Sequence, residues 1–311
     1  MSPLPFDIPA TFMALAARDE RLASWLDEVP ALVAEIVADW ELAFDGAPRH
    51  GMGALVLPVR TPAGRPAVLK LVLPHEEAEH EHLGLQAWHG DGAVQLLRAD
   101  PRRFALLLER LHADEDLTSV PVDEACEIVA GFYPRLHVPA LPQLRRLSSY
   151  VDHWTGRLAQ LPADARLPRR LVEQAVSLGR SFTADEQTDQ RMIHGDLHYL
   201  NVLAGDREPW LVIDPKPMAG DPHYEVAPML WNRWEEAVQT GNLRDAVRRR
   251  FHMLVDAAGL DEARARDWVV VREMHNALWT IEDVARENRG LDSEDRSWLT
   301  LSVTIAKAVQ D

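Results

Sequence analysis

The chain has 311 residues, 47 % of them hydrophobic, which is enough for two modest domains or one large one. Its formal net charge of −16 argues against an electrostatic nucleic-acid binder and favours a protein that tolerates cationic partners. The single cysteine, Cys126, excludes a disulfide framework, and no signal-peptide pattern or membrane-spanning apolar stretch is present, so we expect a cytoplasmic protein without a membrane partner.

The first 110 residues are predicted to form a small lobe of helices followed by antiparallel strands. Apolar spacing predicts helices over 10–39, with a break at Pro30. Short apolar segments then predict strands over residues 40–44, 55–59, 67–73, 94–97 and 104–108. A domain boundary is predicted near residue 111, after the last of these strands.

Lys70 lies in the middle of the apolar third strand, A-V-L-K-L-V-L. In phosphoryl-transfer enzymes of the protein-kinase type, a lysine on the third strand binds phosphates and pairs with a helical glutamate. Glu81, in the helix that follows, is the predicted partner, and Glu77 is the alternative one turn earlier. The other acidic residues of this segment are explained by the helix dipole.

Two glycines, Gly51 and Gly53, lie in the loop between the first two strands. Small residues there would let backbone amides approach phosphates. A simple hairpin loop explains the same residues equally well.

Residues 111–311 are predicted to be mainly helical. Helices are expected over residues 123–137, 147–161, 168–182, 242–258, 261–288 and 293–309, with a break in the first at Pro134. Only the stretch 192–217 departs from this pattern, because two short apolar segments there flank a turn.

This stretch, M-I-H-G-D-L-H-Y-L-N-V-L-A-G-D-R-E-P-W-L-V-I-D-P-K-P, carries the candidate chemistry. Asp196 precedes Asn201 by five residues, and Asp214 ends the second apolar segment. The same layout places a proton-accepting Asp and two Mg²⁺ ligands, an Asn and an Asp, in kinases. The alternative is a polar turn with capping residues.

The helix predicted over 261–288 carries a polar stripe, Glu273, Asn276, Thr280 and Asp283, at spacings of three and four. A solvated face explains it. Alternatively, it is an acidic wall for a cationic substrate, with Trp231 and Asn232 adding aromatic and polar contacts.

Lys216 is one of only three lysines among 33 basic residues. Its position two residues after Asp214 predicts either a charge near phosphate or an ion pair, for example with Asp221 or Glu225.

Together, the H-G-D-L-H-x-x-N run, the following I-D-P, the V-L-K strand and the L-L-L-E-R-L segment resemble the aminoglycoside phosphotransferase family of kinase-like small-molecule kinases. The fuller strings I-H-G-D-L-H-Y-L-N-V-L and I-D-P-K-P-M-A-G-D-P-H-Y-E-V-A-P look most like its streptomycin 6-kinase branch, the aminoglycoside/hydroxyurea resistance kinases. The resemblance implies an α+β, bilobal protein-kinase-like fold. Residues 1–110 would be the nucleotide-binding lobe, and residues 111–311 the helical lobe with the catalytic loop.

The resemblance also implies roles for individual residues. Asp196 would be the catalytic base, with His194 orienting the loop, and Asn201 and Asp214 would bind Mg²⁺. In the first lobe, Lys70 would hold the α- and β-phosphates of ATP, with Glu81 positioning it. Main-chain groups of Glu109 and Leu111 would meet adenine. The G-M-G loop is shorter than a full glycine-rich loop, and Leu200 stands where this branch has a polar residue.

The expected function is ATP- and Mg²⁺-dependent phosphorylation of a hydroxyl on a small, cationic acceptor, with streptomycin first. The alternatives are hydroxyurea, another antibiotic or metabolite, and a non-catalytic kinase-fold protein that binds nucleotide. The retained Lys, Asp, Asn and Asp argue against the last. The sequence does not predict the oligomeric state.

Overall fold

The computed structural model describes residues 6–162 and 165–310. The chain divides into two compact units, one formed by Met1–Ala113 with Ala204–Ile213 and the other by Asp114–Leu203 with Asp214–Asp311. In the described part of the chain, no helix combines the length and the apolar character needed to cross a membrane.

The chain begins with helices and continues into antiparallel strands. The helices of this region are α1 (Ala10–Ala16), α2 (Glu20–Asp39) and α3 (Glu81–Trp88). The strands are β1 (Ala43–Phe44), β2 (Arg49–His50), β3 (Ala54–Arg60), β4 (Pro66–Val72), β5 (Leu96–Asp100), β6 (Ala105–Glu109) and β7 (His112–Asp116).

The rest of the chain is mainly helical and carries only short strands. Its helices are α4 (Val122–Leu136), α5 (Leu147–Ala159), α6 (Arg169–Ala184), α7 (Ala227–Trp231), α8 (Trp234–Gln239), α9 (Leu243–Ala258), α10 (Glu262–Arg286) and α11 (Ser293–Ala308). Its strands are β8 (Arg145–Arg146), β9 (Arg191–Ile193), β10 (Val202–Ala204), β11 (Trp210–Val212) and β12 (Met218–Gly220).

Two prolines predicted to break helices lie inside them. Pro30 falls within α2 and Pro134 within α4, so both predicted breaks are wrong. The first helical segment is interrupted earlier instead, where the Asp19 side chain accepts hydrogen bonds from the N–H groups of Arg21 and Leu22 and caps α2. Both helices carry buried apolar faces, and this packing outweighs the hydrogen bond that each proline removes.

The main sheet of the first unit has the strand order β1-β3-β4-β6-β5, with β2 also paired to β3, and all of these pairings are antiparallel. Residues of β3 alternate between buried and partly exposed, whereas every residue of β6 is buried. The apolar face of α2 and the inward residues of β3 and β4 belong to one core. This core supports the central strand β4, which carries Lys70.

The second unit builds its core around the short strands β9 and β12. These strands pair antiparallel, with Met218 opposite Ile193, and β8 adds a parallel partner to β12. Helices α5, α6 and α10 cover them, and Phe182 stacks on Trp268 with ring centroids 3.9 Å apart. The indole N–H of Trp268 donates to the buried Asp221 carboxylate at 2.7 Å. The ends of β9 and β12 are therefore fixed by packing from three helices.

Candidate active site

The loop after β9 and the segment before β12 lie side by side because their strands pair. The N–H of Lys216 donates to the His194 carbonyl at 2.8 Å. Gly195 has a φ of 85°, and a Cβ there would clash with the Lys216 carbonyl oxygen. Only glycine fits this backbone conformation and this close approach. The sequence H-G-D therefore brings Asp196 next to the segment that follows Asp214.

Asp196 is surrounded by polar groups from both segments. Its Oδ2 atom contacts the ammonium of Lys216, and its Oδ1 atom lies 3.9 Å from His198 Nε2. The side-chain amide of Asn201 donates to the Asp196 carbonyl at 2.8 Å and lies 3.2 Å from His198 Nε2. The structure thus brings Asp196, Asn201 and Lys216 together, and it adds His198, which was not predicted as a site residue.

These neighbours keep the Asp196 side chain ionised. Burial alone would raise the pKa of Asp196, but the charge of Lys216 and its hydrogen bond to the carboxylate outweigh this effect, so the pKa lies below its ordinary value. Burial also lowers the pKa of His198, which favours the neutral imidazole. An ionised carboxylate beside a neutral imidazole can accept a proton from a hydroxyl group.

His194 is completely buried and does not face solvent. Its Nδ1 atom accepts a hydrogen bond from the Asp196 N–H at 3.2 Å. This contact fits the predicted role of orienting the loop, which stays a prediction.

Asp214 and Asn201 provide the oxygen donors that Mg²⁺ prefers. Because the nitrogen of the Asn201 amide is bound to the Asp196 carbonyl, its oxygen points away from that bond and suits a metal. Asp214 has a left-handed φ of 56°. Non-glycine residues rarely adopt this conformation, and those that do are often found at functional sites. Its charge also acts on the pKa of His198.

Among the described residues, no group of three or more His, Cys, Asp or Glu side chains is arranged to hold a metal ion. In kinases, Mg²⁺ binds through one or two protein ligands, water and substrate phosphates. The amide oxygen of Asn201 and the carboxylate of Asp214 suit the ion as donors, and the role of both residues as ligands stays a prediction.

Glu225 holds the backbone of the catalytic loop, which is the loop after β9 that carries Asp196. Its buried carboxylate accepts hydrogen bonds from the N–H groups of His194 (3.2 Å) and Gly195 (2.6 Å), and it lies 3.0 Å from His137 Nε2. Burial would raise the pKa of Glu225, but these partners lower it overall. Three contacts on one carboxylate restrict the backbone that presents Asp196.

Arg272 holds the same loop from α10. Its guanidinium donates to the carbonyls of Gly195 (2.8 Å) and Tyr224 (3.1 Å) and lies over the Tyr224 ring at 4.1 Å. The ring of Trp231 is 5.1 Å from the same guanidinium. Gly195 is thus bound through its N–H by Glu225 and through its carbonyl by Arg272.

No positioning role was predicted for Glu225, His137, Arg272 or His198. Only two of them carried a local signal: Glu225 lies in the Y-E-V-A-P string, and His198 lies within H-G-D-L-H. Lys216 contacts Asp196, whereas Asp221 and Glu225, the suggested ion-pair partners, are engaged by other groups.

In the first unit, the structure places Lys70 and Glu81 in contact. The ammonium of Lys70 donates to Glu81 Oε1 at 2.6 Å, and the two residues are 7 % and 3 % exposed. Glu81 is the first residue of α3, whereas Glu77 lies in a short 3₁₀ turn. The predicted pair therefore forms, and its role in binding ATP phosphates stays a prediction.

The G-M-G loop connects β2 and β3. The N–H of Gly51 donates to Ala54 O, and the carbonyl of Gly53 accepts from Leu73 N at 2.8 Å. A Cβ at Gly51 would meet no atom within 4 Å, so packing does not explain this glycine. Met52 is 79 % exposed at the tip of the loop. Phosphate binding here stays a prediction.

Glu109 has a structural function at the end of β6. Its carboxylate accepts from Gln95 N and from the Arg207 guanidinium, both at 2.7 Å. Its own N–H donates to the Gln95 carbonyl at 3.0 Å. The main-chain N–H of Glu109 is therefore engaged within the unit, and the adenine prediction is limited to its carbonyl and to Leu111, which follows two residues later.

The predicted acceptor residues are not all on a surface. Glu273 is completely buried on α10, so neither the solvated face nor the open acidic wall describes it. Asn276 is half-buried, and Asp283 is exposed and paired with Arg286. Trp231 and Asn232 are half-buried at the end of α7, where the Asn232 amide donates to Pro228 O. Their contacts with an acceptor stay predictions.

Comparison with known proteins identifies the family. A family model for aminoglycoside/hydroxyurea antibiotic resistance kinases matches residues 39–284. The chain is 43 % identical to streptomycin 6-kinase from Streptomyces glaucescens, over 89 % of this chain and 92 % of that protein. It is 40 % identical to hydroxyurea phosphotransferase from Kitasatospora aureofaciens, over 89 % and 81 % of the two chains.

Solved structures support the fold. Choline kinase LicA from Streptococcus pneumoniae matches 91 % of this chain and 99 % of its own with a TM-score of 0.59 and 13 % identity. A thermostable mutant of aminoglycoside phosphotransferase APH(4)-Ia, in complex with ADP and hygromycin B, matches 88 % and 97 % with a TM-score of 0.57 and 14 % identity. The predicted α+β, kinase-like fold is confirmed. The chain belongs to the aminoglycoside/hydroxyurea antibiotic resistance kinase family and is a phosphotransferase that acts on hydroxyl groups.

Proposed function

We propose that this chain transfers the γ-phosphoryl group of ATP to a hydroxyl of streptomycin in the cytoplasm. The arrangement around Asp196 carries the proposal: an ionised carboxylate contacts Lys216, on a loop that Glu225 and Arg272 hold from both sides of Gly195. The two relatives with 43 % and 42 % identity are both named streptomycin 6-kinase. Streptomycin carries guanidinium groups, which suit a chain with a net charge of −16.

In the mechanism, Asp196 accepts the proton of the acceptor hydroxyl as its oxygen attacks the γ-phosphorus. The bond between the γ-phosphorus and the bridging oxygen breaks, and ADP leaves. Bound Mg²⁺, held by Asn201 and Asp214, would offset the negative charge of the phosphates. Lys70, oriented by Glu81, would bind the nucleotide phosphates in the first unit. Glu225 and Arg272 keep the loop of Asp196 in one conformation, which lowers the entropic cost of reaching the reactive geometry.

A second candidate acceptor is hydroxyurea. The 40 % identical relative is named hydroxyurea phosphotransferase, and the same family model includes both groups of kinases. Both acceptors present a hydroxyl group, so the same base would serve either reaction.

A coupled ADP-release assay distinguishes these acceptors. It should be run with streptomycin, other aminoglycosides, hydroxyurea and simple sugars, with and without Mg²⁺. We expect the highest kcat/KM with streptomycin and no turnover without Mg²⁺. Turnover with hydroxyurea alone would favour the second candidate, and turnover with none of these acceptors would contradict antibiotic phosphorylation.

Substitution of the base tests the mechanism. Asp196→Asn removes the proton acceptor while keeping the side-chain shape, and we expect kcat to fall about 10²- to 10⁴-fold. ATP binding, measured by calorimetry, should change little. Asp256→Asn, on the exposed face of α9, is the matched control and should leave kcat unchanged. Full activity of Asp196→Asn would show that another group accepts the proton.

A further inference from the structure

Lys216 is attached to the catalytic loop at two points. Its main-chain N–H donates to His194 O, and its carbonyl oxygen approaches Gly195 so closely that a Cβ there would clash. Its side chain then extends to Asp196, where the ammonium contacts Oδ2. The side chain is 31 % exposed, so the contact lies at the edge of the protein interior. The backbone thus fixes the origin of the side chain, and the ion pair fixes its end.

The two oxygens of Asp196 are in different surroundings. Oδ2 is engaged by Lys216, whereas Oδ1 is 3.9 Å from His198 Nε2, which is beyond hydrogen-bond distance. A proton acceptor needs one oxygen that can approach the substrate hydroxyl to about 3 Å. Oδ1 is the oxygen that can do so.

We propose that Lys216 is a positioning residue for phosphoryl transfer, which holds Oδ2 of Asp196 so that Oδ1 meets the acceptor hydroxyl. The proposal rests on the proposed role of Asp196 as the base. In this proposal, the Lys216 ammonium binds the Asp196 carboxylate. It does not bind the phosphates, which is the alternative predicted from its position two residues after Asp214.

The identity of the side chain supports this role. Lysine presents one compact ammonium, which binds a single carboxylate oxygen. Arginine presents a planar fork that binds both oxygens of a carboxylate. In a chain with 30 arginines and three lysines, a lysine at this position leaves the second oxygen of Asp196 available.

A double-mutant cycle tests whether Lys216 acts through Asp196. The variants are Lys216→Met, Asp196→Asn and the double variant, and kcat is measured at saturating ATP and acceptor, with concentrated enzyme for the slow variants. In the wild-type background, we expect Lys216→Met to lower kcat about 10- to 100-fold, the loss typical of a misplaced catalytic group, with an unchanged KM for ATP. In the Asp196→Asn background, we expect a change of less than about twofold.

Two further variants sharpen the test. Lys216→Arg should also lose activity, because its fork would occupy both oxygens of Asp196. Lys307→Met, at an exposed position in the last turn of α11, is the matched control and should have no effect. Thermal unfolding of each variant separates loss of positioning from loss of folded protein.

An equal loss of kcat from Lys216→Met in both backgrounds would mean that Lys216 acts independently of Asp196 and would overturn the proposal. So would an unchanged kcat, or full activity of Lys216→Arg. In these cases an inactive Asp196→Asn variant would leave the proposed function standing. An active Asp196→Asn variant would instead contradict the mechanism on which the proposal rests.

Discussion

Glu273 combines complete burial with an acidic side chain. Neither carboxylate oxygen has a partner with hydrogen-bond geometry, although Ser302 and Asn276 lie near enough to favour ionisation slightly. Burial dominates and raises the pKa of Glu273 to about 8. The carboxyl group is therefore protonated in the folded protein at neutral pH. Glu273 is adjacent in the sequence to Arg272, which binds the catalytic loop.

This raised pKa makes folding depend on pH. Below pH 4.5, the ordinary pKa of the group, Glu273 is protonated in both the folded and the unfolded chain. Between pH 4.5 and about 8, the unfolded chain loses the proton and the folded chain keeps it, so the free energy of unfolding decreases as pH rises. The decrease levels off above the folded pKa. A tenfold difference in proton affinity between the folded and unfolded chain corresponds to about 1.4 kcal/mol, so the total decrease is a few kcal/mol.

Replacement of Glu273 by glutamine should remove this dependence, because the amide has a similar shape and does not titrate. We expect Glu273→Gln to unfold like the wild type near pH 5 and to be more stable by a few kcal/mol near pH 9. Urea unfolding at several pH values measures the difference. Glu127→Gln, at an exposed position on α4, is the control and should follow the wild-type curve. Parallel curves for Glu273→Gln and the wild type would show that the carboxyl group titrates normally.

At the scale of elements, the sequence predicted most helices and strands but not the contacts between them. The alternation of buried and partly exposed residues in β3 and the apolar runs of β4 and β6 could be recognised in the sequence, because burial on one or both faces of a strand leaves a pattern of apolar residues. The continuity of α2 through Pro30 could not be recognised in the sequence, because it depends on packing against the sheet.

The same distinction applies to the site. The spacing of Asp196, Asn201 and Asp214 is local and could be read directly. The contacts that hold their loop join Glu225 to His137, 88 residues away, and Arg272 to Gly195, 77 residues away. No local pattern encodes such distant partners.

The pair of Lys70 and Glu81 joins strand β4 to helix α3 and allows structural and functional roles to be separated. In Lys70→Met, a buried carboxylate loses the ammonium beside it, and we expect the free energy of unfolding to fall by about 3 kcal/mol. The double variant Lys70→Met/Glu81→Gln should recover much of this loss. If Lys70, oriented by Glu81, binds the phosphates, neither variant should show the rise in melting temperature that we expect Mg²⁺ and ATP to give the wild type.

A matched control for this prediction is the exposed pair of Arg169 and Glu173 on α6. Arg169→Met and Glu173→Gln should each change stability by less than about 1 kcal/mol and should keep the ATP-dependent shift. A Lys70→Met/Glu81→Gln variant that keeps the full shift would mean that the pair is structural only.

At the scale of the whole molecule, net charge predicts how acceptors are captured. A chain with a net charge of −16 attracts cations over distances that salt shortens, from about 10 Å at 0.1 M to about 3 Å at 1 M. A cationic acceptor such as streptomycin should therefore bind more weakly as ionic strength rises, whereas an uncharged acceptor should not respond. The salt dependence of acceptor binding therefore distinguishes long-range attraction by the whole chain from contacts made inside the acceptor site.

We expect KM for streptomycin to increase several-fold between about 0.05 and 0.5 M sodium chloride, while kcat at saturating acceptor changes less than about twofold. The constant kcat is the internal control, because bound substrate no longer depends on attraction from a distance. ATP must be kept saturating, since an anionic nucleotide responds to the same field with the opposite sign. Any uncharged acceptor found in the ADP-release assay provides the second control. If its KM rises in parallel with that of streptomycin, salt acts on the enzyme itself and the net charge does not guide the acceptor.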